Sequence, residues 1–242
     1  MGAMYMMILN LSNVTKIISK KTILDNINLS VNEGEIFGFL GPNGAGKTTT
    51  IKIITGLIKP NSGEITINNV KLSENKLKAI SNVGAIVENP ALYDYLTGLD
   101  NLKIVAKLRN VKKNDLDYII ENILDKNRLN DKVKKYSLGM KERLAIGCAM
   151  VGNPKLLILD EPTNGLDPEG IIDLRNLLKH LAHDKKMTIF LSSHQLSEIQ
   201  NTCDRVAFLK NGKIITTESV DDILKMDGTL EEKYISLMNK EG

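Results

Sequence analysis

The stretch Gly41-Pro42-Asn43-Gly44-Ala45-Gly46-Lys47-Thr48 decides the fold of this chain. It fits the phosphate-binding loop pattern G-x-x-x-x-G-K-[ST]. The apolar run at residues 36–40 precedes the loop and is typical of a buried parallel strand. The segment 48–57 predicts a helix that begins at the loop and ends near Gly56. Strand, glycine-rich loop and helix form the context that the motif requires, which disfavours the alternative of a simple glycine-rich turn.

The residue types of this loop suit a polyphosphate. Glycines let backbone N–H groups point inward, and the N-terminus of the following helix adds partial positive charge. We expect Lys47 to reach the β- and γ-phosphates of a nucleotide and the Thr48 hydroxyl to bind Mg²⁺. The predicted nucleotide contacts in and after the loop are Asn43, Gly44, Ala45, Gly46, Lys47, Thr48 and Thr49.

A second constellation is an apolar strand, residues 156–159, that runs directly into Asp160 and Glu161. Carboxylates at the edge of a core are costly unless they have a partner, and a magnesium nucleotide would be one. We expect Asp160 to hold Mg²⁺ through water, and Glu161 to orient and deprotonate an attacking water as general base. The alternative is an ordinary strand end that enters a loop.

Length and composition set the outer limits of the interpretation. The chain has 242 residues, of which 42% are hydrophobic, and a formal net charge of +3. This charge is too small to indicate nucleic acid or an anionic membrane as a partner. Cys148 and Cys203 lack metal-ligand spacing and are expected to be buried thiols in a reducing compartment. No run has the length of a membrane span, and we expect neither a spanning helix nor a signal peptide. The start, Met1-Gly2-Ala3-Met4, resembles a cloning remnant, with Met4, Met6 or Met7 as the expected natural start.

Hydrophobic periodicity divides the chain into three segments. Antiparallel strands are expected in residues 6–32, with a turn near residues 19–21, and helices dominate residues 97–151. Strand patterns then return. Further predicted strands are 64–67, 83–87, 155–159 and 188–192 with a hairpin at 206–216, and further predicted helices are 76–81, 168–182, 195–203, 220–226 and 230–238.

Three further motifs resemble a known family, the ATP-binding subunits of ABC transporters. Residues 136–144, Tyr-Ser-Leu-Gly-Met-Lys-Glu-Arg-Leu, resemble the family signature that is usually written LSGGQ. Residues 163–168, Thr-Asn-Gly-Leu-Asp-Pro, resemble the D-loop, and Ser193-His194 after a strand resembles the switch histidine. The motifs stand in the family's order, and the resemblance covers essentially the whole chain.

The resemblance implies an α/β fold: a P-loop NTPase (RecA-like) core with an antiparallel β subdomain and an inserted helical subdomain. The implied boundaries are 5–88 for the first part of the core, 89–152 for the helical subdomain and 153–242 for the second part with a tail. It also implies a head-to-tail, ATP-dependent dimer, most simply a homodimer. Ser137 and Gly139 would then bind the ATP held by the other subunit, and His194 would join the catalytic residues.

The chain departs from the family pattern at three places. Glu88 stands where the family has a glutamine that touches Mg²⁺ and water; at about 4 Å, a carboxylate adds roughly 1–4 kcal/mol of repulsion toward the triphosphate. Glu88 could instead ligate Mg²⁺ directly or be a neutral variation. Ile18, or else Tyr5, takes the place of the aromatic residue that stacks on adenine. Leu138 and Met140 alter the signature, and we expect activity to survive this change.

Residues 88–93, Glu-Asn-Pro-Ala-Leu-Tyr, resemble the subgroup that protects bacteria against lantibiotics and bacitracin. The resemblance therefore implies an ATPase that drives export of such a peptide through a separate permease, at the inner face of the cell membrane. Segment 88–135 would meet the permease. The alternatives are a non-transport ABC protein acting on ribosomes or DNA, and a regulatory nucleotide binder with weak catalysis.

Overall fold

The computed structural model describes residues 6–88, 90–111, 116–123, 126–226 and 228–239. The strands are β1 Met7–Ile18, β2 Lys21–Asn32, β3 Ile36–Leu40, β4 Ser62–Ile67, β5 Val70–Lys71, β6 Val83–Ile86, β7 Leu156–Asp160, β8 Thr188–Ser193, β9 Arg205–Lys210 and β10 Lys213–Ser219. The α-helices are α1 Lys47–Ile54, α2 Lys76–Ile80, α3 Gly98–Leu108, α4 Asp117–Asn122, α5 Leu138–Met150, α6 Pro168–Lys179, α7 Leu196–Thr202, α8 Val220–Met226 and α9 Leu230–Asn239.

The larger sheet has the order β10-β9-β3-β8-β7-β6, and its strands from β9 to β6 are mutually parallel. Side chains of a strand point alternately to the two faces of a sheet. Accordingly, Ile36 and Leu40 of β3 belong to one buried cluster, while Phe37 and Phe39 belong to the other. Phe37 stacks on Phe190 of β8 with ring centroids 5.9 Å apart. A strand buried on both faces explains the continuous apolar runs in the sequence.

The smaller sheet is antiparallel, with the order β2-β1-β4-β5. Its longest element is the β1–β2 hairpin, whose turn at Ser19 and Lys20 has positive φ angles of 48° and 67°. The expected antiparallel strands in residues 6–32, and the turn between them, are therefore confirmed. Apolar residues of β1, β2 and β4 share a buried cluster with α1 and with one face of the larger sheet.

The helical segment contains α3, α4 and α5, together with a 3₁₀ turn at Val133–Lys135. Leu102 of α3 and Leu144 of α5 are fully buried in the cluster on the opposite face of the larger sheet. The prediction that helices dominate residues 97–151 is confirmed for the described part of this range. The exact division of the chain at residues 88 and 152 stays a prediction.

One helix ends differently from the sequence expectation. The α-helix predicted over residues 168–182 ends at Lys179 and continues as a π-helical segment, His180–Asp184. In this segment the Lys185 N–H donates to the His180 carbonyl oxygen at 3.3 Å, a spacing of five residues. Leu181 and Ala182 of this segment lie fully buried in the core.

Both cysteines are free thiols. Cys203 is buried and Cys148 is half-buried. Burial raises the pKa of the Cys148 thiol to about 12 and also raises that of Cys203 well above its usual value. Among the described residues, no helix is both long and apolar enough to cross a bilayer.

Candidate functional site

The site lies where four parallel strands end at the same edge of the larger sheet. Register pairs place Leu40 of β3 beside Ser193 of β8, and Ser192 beside Asp160 of β7. Strand β6 lies next to β7 and leads to Glu88. The carboxyl ends of strands in an open α/β sheet form the usual ligand crevice. The fold therefore brings four segments to one edge of the sheet: the phosphate loop, the acidic end of β7, the segment after β6 with Glu88, and the segment after β8 with His194.

The phosphate loop has the backbone that its glycines predict. Gly46 caps α1 with a φ of 115°, and a side chain there would collide with Leu24. Gly44 also has a positive φ, 80°, and no atom lies within 4 Å of the position that a side chain would take. The loop is thus closed on the side of β2 and open at Gly44. Backbone N–H groups before a helix N-terminus in this conformation suit an anion.

Lys47 is a buried lysine, with only 6% of its surface exposed. Its ammonium group donates to the Gly41 carbonyl oxygen at 2.7 Å and lies 3.1 Å from Oε1 of Glu161. A buried charge is tolerated when it is paired and hydrogen-bonded. This contact links the two motifs that the sequence singled out, although they are more than 100 residues apart.

Glu161 joins Lys47 to His194. One carboxylate oxygen of Glu161 faces Lys47, and the other lies 2.7 Å from Nδ1 of His194. The backbone N–H of Glu161 donates to Oγ of Ser192 at 3.1 Å. Glu161 also adopts a φ of 53°, a left-handed conformation that non-glycine residues rarely adopt outside constrained sites. Its carboxylate is therefore held in a defined position beside the phosphate loop.

Asp160 is buried, and its Oδ1 accepts a hydrogen bond from the Ser192 hydroxyl at 2.6 Å. Thr48 is half-buried in the first turn of α1. Within the described residues, no group of three or more histidine, cysteine or acidic side chains is arranged to hold a metal. This donor set fits Mg²⁺, which proteins commonly bind through one or two side chains, with substrate phosphates and water supplying the rest.

Two of the predicted contacts lie further from the loop. Glu88 has a φ of 64°, and its Oε1 lies 2.7 Å from the ammonium group of Lys52 on α1. Ile18 ends β1 and is 44% exposed, so its side chain is accessible at the surface. Its contact with a base stays a prediction, and Tyr5 lies outside the described residues.

The signature segment begins α5. Ser137 is the N-cap, and its hydroxyl accepts from the Met140 N–H at 3.2 Å. A side chain at Gly139 would meet no atom within 4 Å, so the helix start is open to a close approach. Leu138 packs toward Gly165 of the D-loop. Ser137 therefore caps α5, and the predicted phosphate contact with a second subunit stays a prediction.

The structure adds residues that the sequence analysis missed. Ser192 supports both Asp160 and Glu161, and Lys52 pairs with Glu88. Glu142 is 6% exposed, and its Oε1 has no hydrogen-bond partner. The consecutive serines Ser192 and Ser193 at the end of the apolar strand β8 could have indicated a role for Ser192. Nothing local distinguishes Lys52 or Glu142 from the other charged residues on their helices.

The fold and the site together define a P-loop nucleoside triphosphatase. The sequence model described as "ABC transporter" matches residues 24–164, more than half of the chain. The chain belongs to this family, as an ATP-hydrolysing, ATP-binding subunit. The family resemblance that rested on three short motifs is confirmed.

Two curated relatives carry informative names. The chain is 43% identical over 234 residues to the bacitracin transport ATP-binding protein BcrA of Bacillus licheniformis, covering 96% of this chain and 76% of that protein. It is 41% identical over 213 residues to the lantibiotic transport ATP-binding protein SrtF of Streptococcus pyogenes, covering 88% and 91%.

Solved structures agree with the fold. An ATP-binding subunit of an ABC transporter superposes with a TM-score of 0.84 at 31% identity, covering 96% of this chain and all of that one. A dimeric bacterial ABC transporter cassette superposes with a TM-score of 0.76 at 28% identity, covering 88% and 98%. The predicted α/β architecture is therefore confirmed.

Proposed function

We propose that this subunit energises a separate membrane permease that exports a peptide antibiotic of the lantibiotic or bacitracin kind. The observation that carries the catalytic part is the Lys47–Glu161–His194 arrangement beside the phosphate loop. The cargo is supported by the names of BcrA and SrtF, and by Glu88 in place of the family's glutamine. The subunit would act at the inner face of the cell membrane, and no nucleic acid is expected as a partner.

Different residues of the site bind the phosphates, accept the proton from water and position the base during hydrolysis. The loop residues 43–49 bind the phosphates, and Lys47 exchanges its contact with Glu161 for the β- and γ-phosphate oxygens. Glu161, released from Lys47, accepts a proton from the attacking water. His194 remains on the other carboxylate oxygen and holds the base in position, a role that its 2.7 Å contact supports. In this scheme ATP binding itself frees the general base.

Asp160 and Thr48 would hold Mg²⁺, with Glu88 as a further candidate. When bound, the ion neutralises charge on the β- and γ-phosphate oxygens. Ser192 fixes one oxygen of Asp160 by a 2.6 Å hydrogen bond and leaves the other oxygen for this role.

A second copy of the chain would complete the site. The open start of α5 offers the Ser137 hydroxyl and the Gly139 backbone to a phosphate, and a helix N-terminus favours an anion. We infer an ATP-dependent head-to-tail homodimer, because a relative of known structure is dimeric and this chain carries both halves of the site. ATP would close the dimer, and hydrolysis would reopen it.

The permease would bind next to the helical segment. A cavity of about 430 Å³ lies between β6, α3 and α5, and several of its lining residues are apolar, among them Val87, Pro90, Ala91 and Leu92. Its lining residues Val87 and Pro90 flank the position of Glu88, so a partner seated there would contact the segment that carries Glu88. This position supports the expectation that residues 88–135 meet the permease.

The proposal is tested by capture from membranes of the native host. The bait is Glu161→Gln with ATP, which would hold the dimer closed, and the matched control is the same protein with ADP. We expect an integral-membrane permease to be recovered preferentially with ATP. Co-expression of that permease with wild-type protein, but not with Glu161→Gln, should raise resistance to bacitracin or a lantibiotic.

Other outcomes would contradict the proposal in distinct ways. Recovery of ribosomes or of nucleic-acid proteins would favour a non-transport ABC protein. ATP binding without measurable turnover, even with the permease present, would favour a regulatory nucleotide binder. A recovered permease with no change in resistance would reject the cargo and keep the motor.

A further inference from the structure

An ion pair connects the phosphate-loop helix to the segment after β6. The ammonium group of Lys52, on α1, lies 2.7 Å from Oε1 of Glu88. The Lys52 side chain is 35% exposed and that of Glu88 is 60% exposed. Exposed ion pairs of this kind contribute little to stability. Either partner can therefore leave the pair at little cost in free energy. The functional effect of the pair is to restrain the Glu88 carboxylate.

Lys52 lies four residues after Thr48 on the same helix. Residues four apart occupy the same face, about 6 Å apart along the axis. The ion pair therefore ties the Glu88 carboxylate to the helix that begins at the phosphate loop, at a residue one turn beyond Thr48. The positive φ of Glu88, 64°, shows that the backbone at this point is also in a special conformation.

The negative charge of Glu88 affects how this position interacts with the triphosphate. A glutamine would be neutral, whereas a free carboxylate would repel the triphosphate before Mg²⁺ is bound. Lys52 neutralises this charge and restrains the side chain that carries it. If Lys52 were absent, the carboxylate would be uncompensated and free to approach the phosphates.

We propose that Lys52 is a positioning residue that holds Glu88 away from the nucleotide phosphates and releases it when the magnesium nucleotide is in place. This inference rests on the proposed function, in which Glu88 lies beside bound ATP. Lys52 acts through Glu88 and not as a direct phosphate ligand. The pairing also gives a physical reason why this chain accommodates a carboxylate at a position where the family has an amide.

The test is a double-mutant cycle on ATP affinity in the absence of Mg²⁺, measured by isothermal titration calorimetry with EDTA present. The variants are Lys52→Gln, Glu88→Gln and the double variant. If Lys52 acted directly on ATP, the Lys52→Gln change would raise the Kd for ATP by the same factor whether residue 88 is Glu or Gln. Positioning predicts a factor about two- to fivefold larger when Glu88 is present, the range expected for an exposed ion pair.

Two controls separate positioning from folding. Lys52→Arg should restore the wild-type Kd, and Lys71→Gln, which removes the exposed pair with Glu74, should leave it unchanged. Circular dichroism would show that each variant is folded. Equal factors in the two backgrounds would overturn the role of Lys52 and leave the proposed function intact. Failure of the wild-type protein to bind ATP in a parallel titration with Mg²⁺ present would instead reject the proposed function.

Discussion

The buried carboxyl group of Glu142 predicts a pH-dependent stability that one substitution should remove. Glu142 lies on α5 in a crevice of about 200 Å³, and its Oε1 has no hydrogen-bond partner. Burial raises its pKa from 4.5 to about 7. The folded protein therefore holds this proton more tightly than the unfolded chain does. The stability due to the neutral carboxyl is complete below about pH 4.5 and is lost as the pH rises through about 7.

The magnitude follows from the same values. The interval from 4.5 to about 7, at about 1.4 kcal/mol per pH unit, gives an upper limit of about 3 kcal/mol at pH 8. Glu142→Gln keeps the shape and removes the charge. We expect the variant to match wild type within about 1 kcal/mol near pH 5, and to be more stable by about 1–3 kcal/mol at pH 8.

The assay is urea unfolding followed by circular dichroism at pH 5, 6, 7 and 8, for wild type, Glu142→Gln and Glu169→Gln. Glu169 lines the same crevice but is exposed, so its variant should follow the wild-type pH dependence. If the stability of wild type and Glu142→Gln changed in parallel across this pH range, burial of Glu142 would not be a source of pH dependence. This result would mean that water or a neighbouring group satisfies the carboxylate when it is charged.

Three further predictions concern the nucleotide site and the core. His194→Ala should lower the rate of ATP hydrolysis by up to about 100-fold with little change in ATP affinity, because the base loses its positioning contact; an unchanged rate of phosphate release would contradict this. Gly46→Ala should cost about 1–3 kcal/mol in urea unfolding, because φ is 115° and the methyl group would lie 2.6 Å from a Leu24 carbon. Gly139→Ala is its control: the residue lies in α5 in open space without a positive φ, so the change should leave stability equal or raise it by up to about 1 kcal/mol. Cys203 should resist a thiol reagent at pH 8 until the protein unfolds, since burial raises its pKa; rapid labelling of the folded protein would show that the core opens there.

The sequence predicts well those parts of the fold that local patterns determine. The strand, loop and helix around Lys47 are recognisable because glycine positions, a lysine and an apolar run lie within about 20 residues of one another. The acidic strand end at Asp160 is recognisable for the same reason. The long antiparallel hairpin and the two-sided burial of β3 also follow from alternating and continuous apolar patterns.

Contacts between distant segments could not be predicted in this way. The order of the parallel strands, and hence the meeting of Lys47 with Glu161, depends on tertiary packing. Lys52 and Glu88 are 36 residues apart, and neither the helix pattern nor the strand pattern relates them. The departures at Glu88 and Ile18 could be located by resemblance, but only the structure shows an ion pair at one and an exposed strand end at the other.

Glu142 shows a second limit of local patterns. It lies between Lys141 and Arg143, so the sequence indicates a solvated helix face there. In the fold, α5 packs on α6, and this packing buries Glu142. The burial of Glu142, and hence its raised pKa, depends on helix packing and cannot be seen in the run of charged residues around it.

Phosphate release by purified wild-type and Glu161→Gln protein would show whether this chain hydrolyses ATP with Glu161 as the general base. We expect that Glu161→Gln still binds ATP but releases phosphate about 10²- to 10⁴-fold more slowly. The measurement includes an ATP titration of both proteins, so that lost binding is not mistaken for lost chemistry. Hydrolysis by Glu161→Gln at the wild-type rate would contradict the assignment of the base and the mechanism built on it.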